Sequence, residues 1–304
     1  MISYLPAALM ALPLFSALLA VEIIKKRNSK FINPLTGSLA RPPGAQLGRE
    51  LSNEHLEYGA GIADLLYPSC VPIVIFLSFK EKVMRGDVPS LVVLAVALLV
   101  WFIWSMSAIR KLIRRVERIR VLRLAYECEI AVGQELDLLM LSGYRVFHDI
   151  QAGKFNVDHL VIGESGIFAV ETKGRSKRMD KDGNGKKGYR VVYESGILKF
   201  PDWQDRVSVE QATRQAAWAS KWLSGATGIS VPVRPVVVLP GWYIENKDRP
   251  VVPVIASGYI QKYFQSQRGP VFSREQVQRV VHQVDQKVRD LAPGEIGRPL
   301  PEPS

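Results

Sequence analysis

The run from Val88 to Ile109 restricts this chain most: it contains no charged residue and ends at Arg110-Lys111. An α-helix apolar on every side needs a bilayer or a large protein interior around it, and about 20 such residues cross a hydrocarbon core. Ile2 to Ile24 is a second run of this kind, uncharged before Glu22 and followed by Lys25-Lys26-Arg27. Leu65 to Phe79 is a third, shorter and interrupted by Pro68 and Pro72, so it reads as a kinked span or a re-entrant piece. The sequence therefore predicts about three transmembrane segments, over 2–24, 61–79 and 88–109. A cleaved signal peptide is the competing reading of the first run, but the basic residues follow the apolar stretch instead of preceding it.

Basic residues flank two of these runs: Lys25, Lys26, Arg27 and Lys30 after the first, and Arg110, Lys111, Arg114, Arg115, Arg118 and Arg120 after the last. The positive-inside rule puts both flanks in the cytoplasm. The expected protein is then a multi-pass component of the inner (cytoplasmic) membrane, with a short outer loop near 80–87 and a cytoplasmic C-terminal domain. Were 61–79 not to cross, one basic flank would lie outside. The expected domains are a membrane anchor over 1–115, a soluble domain over 116–292 and a disordered tail over 293–304. Four prolines and few apolar residues from Pro293 onward give the last.

The soluble part carries both helical and strand patterns. Arg110 to Leu141 is proline-free and helical in composition, so a helix is expected to run on from the last span, with Leu124, Cys128, Ala131 and Glu135 on one face. Strands are expected near Tyr144–Phe147, Val233–Leu239 and Val251–Ala256, a hairpin over Tyr189–Phe200, and a helix over Val207–Leu223 with Trp218 and Trp222 as core anchors. A final helix starts at the capping box Ser273 and Gln276, with an apolar stripe through Val277, Val280, Val281, Val284, Val288 and Leu291.

Between them lies Asn156 to Lys173. Val157–Ile162 and Ile167–Lys173 are rich in Val, Ile and Phe and flank Gly163-Glu-Ser-Gly166, a hairpin signal. Pairing about a turn between Glu164 and Ser165 puts Asp158 opposite Glu171, on one face and about 5 Å apart at Cβ. Lys173 shares that face because side chains alternate along a strand. Two carboxylates so close repel unless a cation lies between them. Oxygen ligation suits Mg²⁺ or Mn²⁺.

Asp followed by Glu-x-Lys across a hairpin resembles the active-site pattern of the restriction-endonuclease-like PD-(D/E)xK nucleases. Gly133-Gln-Glu-Leu, Gly143-Tyr-Arg-Val-Phe-His-Asp149, Asp158-His-Leu-Val-Ile, Gly166-Ile-Phe-Ala-Val-Glu-Thr-Lys173 and Val209-Glu-Gln-Ala212 follow one another as in the nuclease-related domain (NERD) family. The resemblance spans roughly 125–265 and implies an α/β fold, a restriction-endonuclease-like mixed β-sheet core flanked by helices. It also implies a catalytic site of Glu135, Asp158, Glu171, Lys173 and Gln211, with metal held by Asp158 and Glu171. The family places Glu directly after Gly in its first motif, whereas Gln134 stands between Gly133 and Glu135 here. Val207-Ser208 replaces the Asn-Pro that often precedes the family's helical glutamine.

These features lead to an expected metal-dependent nuclease acting on DNA. The alternative is a non-catalytic, membrane-tethered module that binds nucleic acid or protein within a DNA-transfer or secretion apparatus. The Lys- and Arg-rich stretch 174–188 would draw a polyanion through Arg175, Lys177, Arg178, Lys186 and Lys187. The net charge of +11 does not by itself imply nucleic acid. Arginines at 110–120 suit anionic lipid headgroups equally well. Cys70 and Cys128 form no Cys-x-x-Cys motif, and the four histidines, at 55, 148, 159 and 282, lack zinc-ligand spacing.

Overall fold

A computed structural model of the chain describes residues 16, 19–24, 26–27, 35, 38–177, 188–267 and 271–291. The expected first span falls largely outside these residues, and the tail over 293–304 wholly so. The chain divides into two compact units, one containing His55–Glu117 and the other Gly37–Glu54 together with Arg118 onward. Gly37–Glu54, expected to belong with the anchor, are thus part of the second unit.

Two long helices supply the first unit, α1 (Ala45–Met84) from His55 onward and α2 (Val88–Asp137) as far as Glu117. They run antiparallel there. Trp104 Nε1 donates to the Asp64 carbonyl (3.1 Å), Trp101 Nε1 to Ser69 Oγ (3.1 Å), and Arg115 pairs with Glu57 (2.8 Å). Pro68 and Pro72 lie inside α1, so the middle apolar run is part of one continuous helix. Both helices are long and apolar enough to cross a membrane. Leu66, Leu99 and Ile103 are 63%, 59% and 61% exposed.

In the second unit β1 (Leu39–Ala40) is followed, after the helices, by β2 (Arg145–Gln151), β3 (Asn156–Gly163) and β4 (Gly166–Thr172). Next come β5 (Arg190–Glu194), β6 (Ile197–Lys199), β7 (Gln204–Asp205), α3 (Val207–Thr227), β8 (Val233–Val238), β9 (Tyr243–Asn246) and β10 (Val254–Ile255). The unit closes with α4 (Ile260–Gln265), α5 (Arg274–Val288) and β11 (Arg289–Leu291). The main sheet has the order β10-β8-β4-β3-β2, parallel on one side of β4 and antiparallel on the other. A smaller sheet runs β7-β6-β5-β9, and β1 pairs with β11.

Every residue of β4 is buried, as a central strand covered on both faces requires. On one face Leu160, Ile162, Ile167 and Ala169 pack against Ala216, Ala219 and Leu223 of α3 and Val280, Val284 and Val288 of α5. On the other, Val161, Phe168 and Val170 meet Val132 and Leu136 of α2 and Ile260 and Phe264 of α4. Each large apolar side chain so enclosed contributes about 1.5–3 kcal/mol. Parallel β4 and β8 need a long crossover, which α3 supplies. The α5 capping box is formed: Ser273 Oγ accepts from Gln276 N–H, and Gln276 Oε1 accepts from Ser273 N–H. The architecture is therefore mixed α/β, with a mixed sheet between helices.

Candidate active site

The β3–β4 pairing sets the site. Gly163 faces Gly166 across a two-residue turn at Glu164-Ser165, and His159 faces Val170, so the next step of the register brings Asp158 against Glu171. Asp158 Oδ2 accepts the Thr172 N–H at 2.8 Å. The strand end is tied to β8 through Lys173 N–H to the Val238 carbonyl, 2.9 Å. Lys173 Nζ lies 2.5 Å from Glu171 Oε1 and donates to Gln211 Oε1 at 2.9 Å. One cavity of about 660 Å³ is lined by Asp158, Glu171, Lys173 and Gln211.

Glu135 does not line that cavity. It is half-buried on α2, and its carbonyl accepts from Gln261 Nε2 at 2.8 Å. Glu129 of the same helix lines the cavity instead, 3% exposed, with Oε1 accepting the Gly44 N–H at 3.1 Å. Helix geometry gives the reason. Six residues advance α2 by about 9 Å and turn it by about 240°. The buried stripe of α2 is Glu129, Val132 and Leu136, which leaves Glu135 on another face. The sequence did hold a signal for Glu129, an acid in phase with an apolar stripe.

Two glycines allow α2 to come this close. A Cβ on Gly174 would fall 3.1 Å from the Leu124 carbonyl oxygen and Cys128 Sγ, and one on Gly133 would meet Pro43 at 2.6 Å. Arg120 and Arg123 of α2 also line the cavity. Sequence reading had placed Arg120 among lipid-facing arginines and left Arg123 unassigned.

Burial dominates the electrostatics. It pushes Asp158 well above the usual carboxylate range, reinforced by Glu171 and Glu129. Burial likewise raises Glu129, to about 8, with help from Asp149. Glu171 is raised by burial even though Lys173 pulls the other way. Among the described residues no donor meets hydrogen-bond geometry at the buried Glu171 Oε2, although the Gln215 side chain of α3 lies close enough to favour the charged form of this carboxylate.

Nearby acids with a built-in cation contrast with these. Asp149, fully buried, pairs with Arg41 Nη1 at 3.0 Å and also accepts from Asn156 Nδ2 and the Gln46 N–H. Asp205 is held below its usual value: burial opposes this, but Arg175 and Ser208 outweigh it through hydrogen bonds. Arg175 is consequently fixed, 2.8 Å from Asp205 and stacked over Trp203, though it too lines the cavity. Lys177 is exposed, and Arg178, Lys186 and Lys187 lie outside the described residues.

The histidines form a chain behind the sheet. His148 Nε2 is 3.0 Å from Asp137, His148 Nδ1 2.9 Å from His159 Nδ1, and His159 Nε2 3.1 Å from Thr172 Oγ1. Burial lowers His159 well below the usual histidine range, with His148 adding to it. Both rings pack beside the sheet, as expected from their lack of ligand spacing. Cys70 and Cys128 are free.

Residues 124–240 match the nuclease-related domain (NERD) family. The matching segment includes Glu129, Asp158, Glu171, Lys173 and Gln211 and supports a nuclease-like function. No curated protein matches the chain, and no solved structure does.

Among the described residues no three His, Cys, Asp or Glu side chains form a ready-made metal-binding group. The cleft is lined by four carboxyl groups, those of Glu127, Glu129, Asp158 and Glu171, so its anionic donors are oxygens. That fits Mg²⁺ or Mn²⁺, which take one or two protein carboxylates and complete their shell with water and phosphate oxygens. Burial raises Asp158, Glu129 and Glu171 together, so a cation placed between them would favour their charged forms.

Proposed function

We propose that this protein is a membrane-anchored, metal-dependent nuclease hydrolysing phosphodiesters, with DNA as the substrate. The observation that carries the reading is the meeting of Asp158, Glu171 and Lys173 in one cleft. Asp158 and Glu171 would hold the ion. Bound Mg²⁺ or Mn²⁺ supplies Lewis acidity toward a phosphate oxygen and a water.

The remaining work falls to the chain's own groups. Lys173, steadied between Glu171 and Gln211, orients the attacking water or neutralises charge developing on the phosphorus oxygens. Glu129 sets the charge balance of the cleft, the part that the resemblance had implied for Glu135. Arg120, Arg123 and Arg175 on the cavity wall draw the phosphate backbone in.

Membrane anchoring is supported by the two long apolar helices and their exposed Leu, Val, Ile and Phe side chains. The chain leaves the second unit after Glu54 and returns to it at Arg118. Both ends of the helical excursion then share one compartment, which agrees with basic flanks on the cytoplasmic side.

The test is an assay of the full chain on single- and double-stranded DNA with Mg²⁺, with Mn²⁺ and with EDTA. Cleavage that needs the ion is the expected result. Metal-supplemented protein that binds DNA without cutting it would leave a tethered binding module.

A further inference from the structure

A second cavity, of about 680 Å³, is built differently from the first. Aromatic rings dominate its lining, with Tyr189, Trp242, Tyr243, Tyr259 and Tyr263 together. Tyr189, Tyr243 and Tyr259 are 49%, 55% and 56% exposed. Lys177 Nζ lies 5.5 Å from the Trp242 ring and Lys262 Nζ 6.0 Å from the Tyr259 ring, and both lysines are exposed. Among the described residues that line it, none is acidic. Exposed aromatic faces interleaved with ammonium groups match a ligand that has flat rings and negative charge.

The two cavities share one segment of chain. Lys173, Gly174, Arg175 and Ser176 line the carboxylate cleft, and Lys177 lines the aromatic cavity. Trp242 Nε1 donates to the Arg175 carbonyl at 3.1 Å, fixing the wall of one cavity to the backbone of the other. From Lys173 to Lys177 the chain spans at most about 14 Å. A polymer of linked rings and phosphates can therefore occupy both.

We infer that the aromatic cavity is a stacking site for unpaired bases of a single-stranded nucleic acid, with Tyr243 and Tyr259 as platforms and Lys177 and Lys262 as phosphate contacts. The inference rests on the nuclease reading of the adjoining cleft, and it narrows the substrate to single strands or to duplexes with an unpaired end. A closed duplex hides the faces of its bases and offers nothing to stack. Stacking on aromatic rings tolerates any base, so the site is blind to sequence.

The test measures binding by the full chain in EDTA to a labelled oligothymidylate, to an abasic oligomer with the same number of phosphates, and to the corresponding duplex. Oligothymidylate should bind tightest. Tyr243→Ala and Tyr259→Ala should each weaken it on the order of tenfold while leaving the abasic oligomer unchanged. Tyr243→Phe and Tyr259→Phe, which keep the ring, should restore it. Lys177→Gln and Lys262→Gln should each lower the salt slope by about one.

Equal binding of oligothymidylate and the abasic oligomer would overturn the inference, as would alanine variants that bind like the unmodified chain. Alanine variants that lose only binding to phosphatidylserine vesicles would overturn it too, and assign the rings to a lipid surface. Cleavage in Mg²⁺, followed on the same samples, separates the two claims. Base-dependent binding without cleavage would remove the nuclease reading alone, and cleavage with base-independent binding would remove the stacking site alone.

Discussion

Helix α2 departs from ordinary burial at both ends, in opposite senses. From Val88 to Glu117 it turns Val92, Leu99, Phe102 and Ile103 outward, each more than half exposed. Past Arg118 it turns Glu129 inward, 3% exposed, beside Asp158 and Glu171. Apolar surface in water and carboxylates in a protein interior both cost free energy, and under the proposed function each region takes a partner from outside the chain. A bilayer would cover the first, and a divalent cation would balance the second. Asp149 shows the difference a resident partner makes, since Arg41 and two further donors satisfy it within the chain.

Removing that resident partner should have the largest effect on stability. Arg41→Ala leaves Asp149 buried without its cation, and breaking such a pair costs about 3–5 kcal/mol. Urea denaturation of the two proteins measures it. A fragment beginning near residue 117 would lose Arg41 and the Gly44 N–H together and should be weakened further. An Arg41→Ala midpoint equal to that of the unmodified chain would erase the contrast between Asp149 and the cleft acids.

Leu99→Arg comes next. In a bilayer a central arginine costs about 2.5–3.5 kcal/mol, whereas an ordinary surface substitution falls within about 0.5 kcal/mol. Flotation of the full chain with lipid vesicles should show marked loss of the variant from the lipid fraction. Unchanged flotation would make the exposed apolar face of α2 something other than lipid-facing.

The third contrast is in pH. Glu129 has its folded-state value raised to about 8, from 4.5. Between those two values the folded protein keeps a proton that the unfolded chain has released, so stability is full below 4.5 and lost as pH rises through about 8. In EDTA the melting temperature should fall over that window, and Glu129→Gln should flatten the fall. An equal slope in both proteins would mean that Glu129 is not the buried acid responsible.

The smallest effect is expected from the basic stretch. Neutralising Arg175, Lys177, Arg178, Lys186 and Lys187 should weaken nucleic-acid binding uniformly across sequences and lower its salt dependence. Arg175→Gln alone should also lower stability, because it gives up Asp205. Unchanged affinity and salt slope in the combined variant would leave the stretch as solvated surface.

The hairpin was legible because it is local. Two apolar runs about Gly163-Glu-Ser-Gly166 permit one symmetrical register, and that register fixes Asp158, Glu171 and Lys173 together. The capping box at Ser273 and the stripe of α5 were legible for the same reason. Glu129 was missed because helical phase, and not proximity to Gly133, decides which acid of α2 faces the sheet. The segment Gly37–Glu54 was missed because its evidence is long-range: two-residue β1 pairs with β11, and Arg41 reaches an aspartate 108 residues away. Strand β9 pairs in parallel with β5, Tyr243 against Arg190, also beyond any local pattern.

The central claim is that Asp158, Glu171 and Lys173 form a cation-dependent catalytic group and not an ion pair closing a strand end. Rates of Mg²⁺-dependent DNA cleavage by the full chain, Asp158→Ala and Lys173→Ala, taken at saturating DNA, test it most directly. Each variant should lose at least a hundredfold in rate, the scale expected when a group acting on developing charge is removed. Full activity in Lys173→Ala would contradict the account and leave the three side chains a structural cluster.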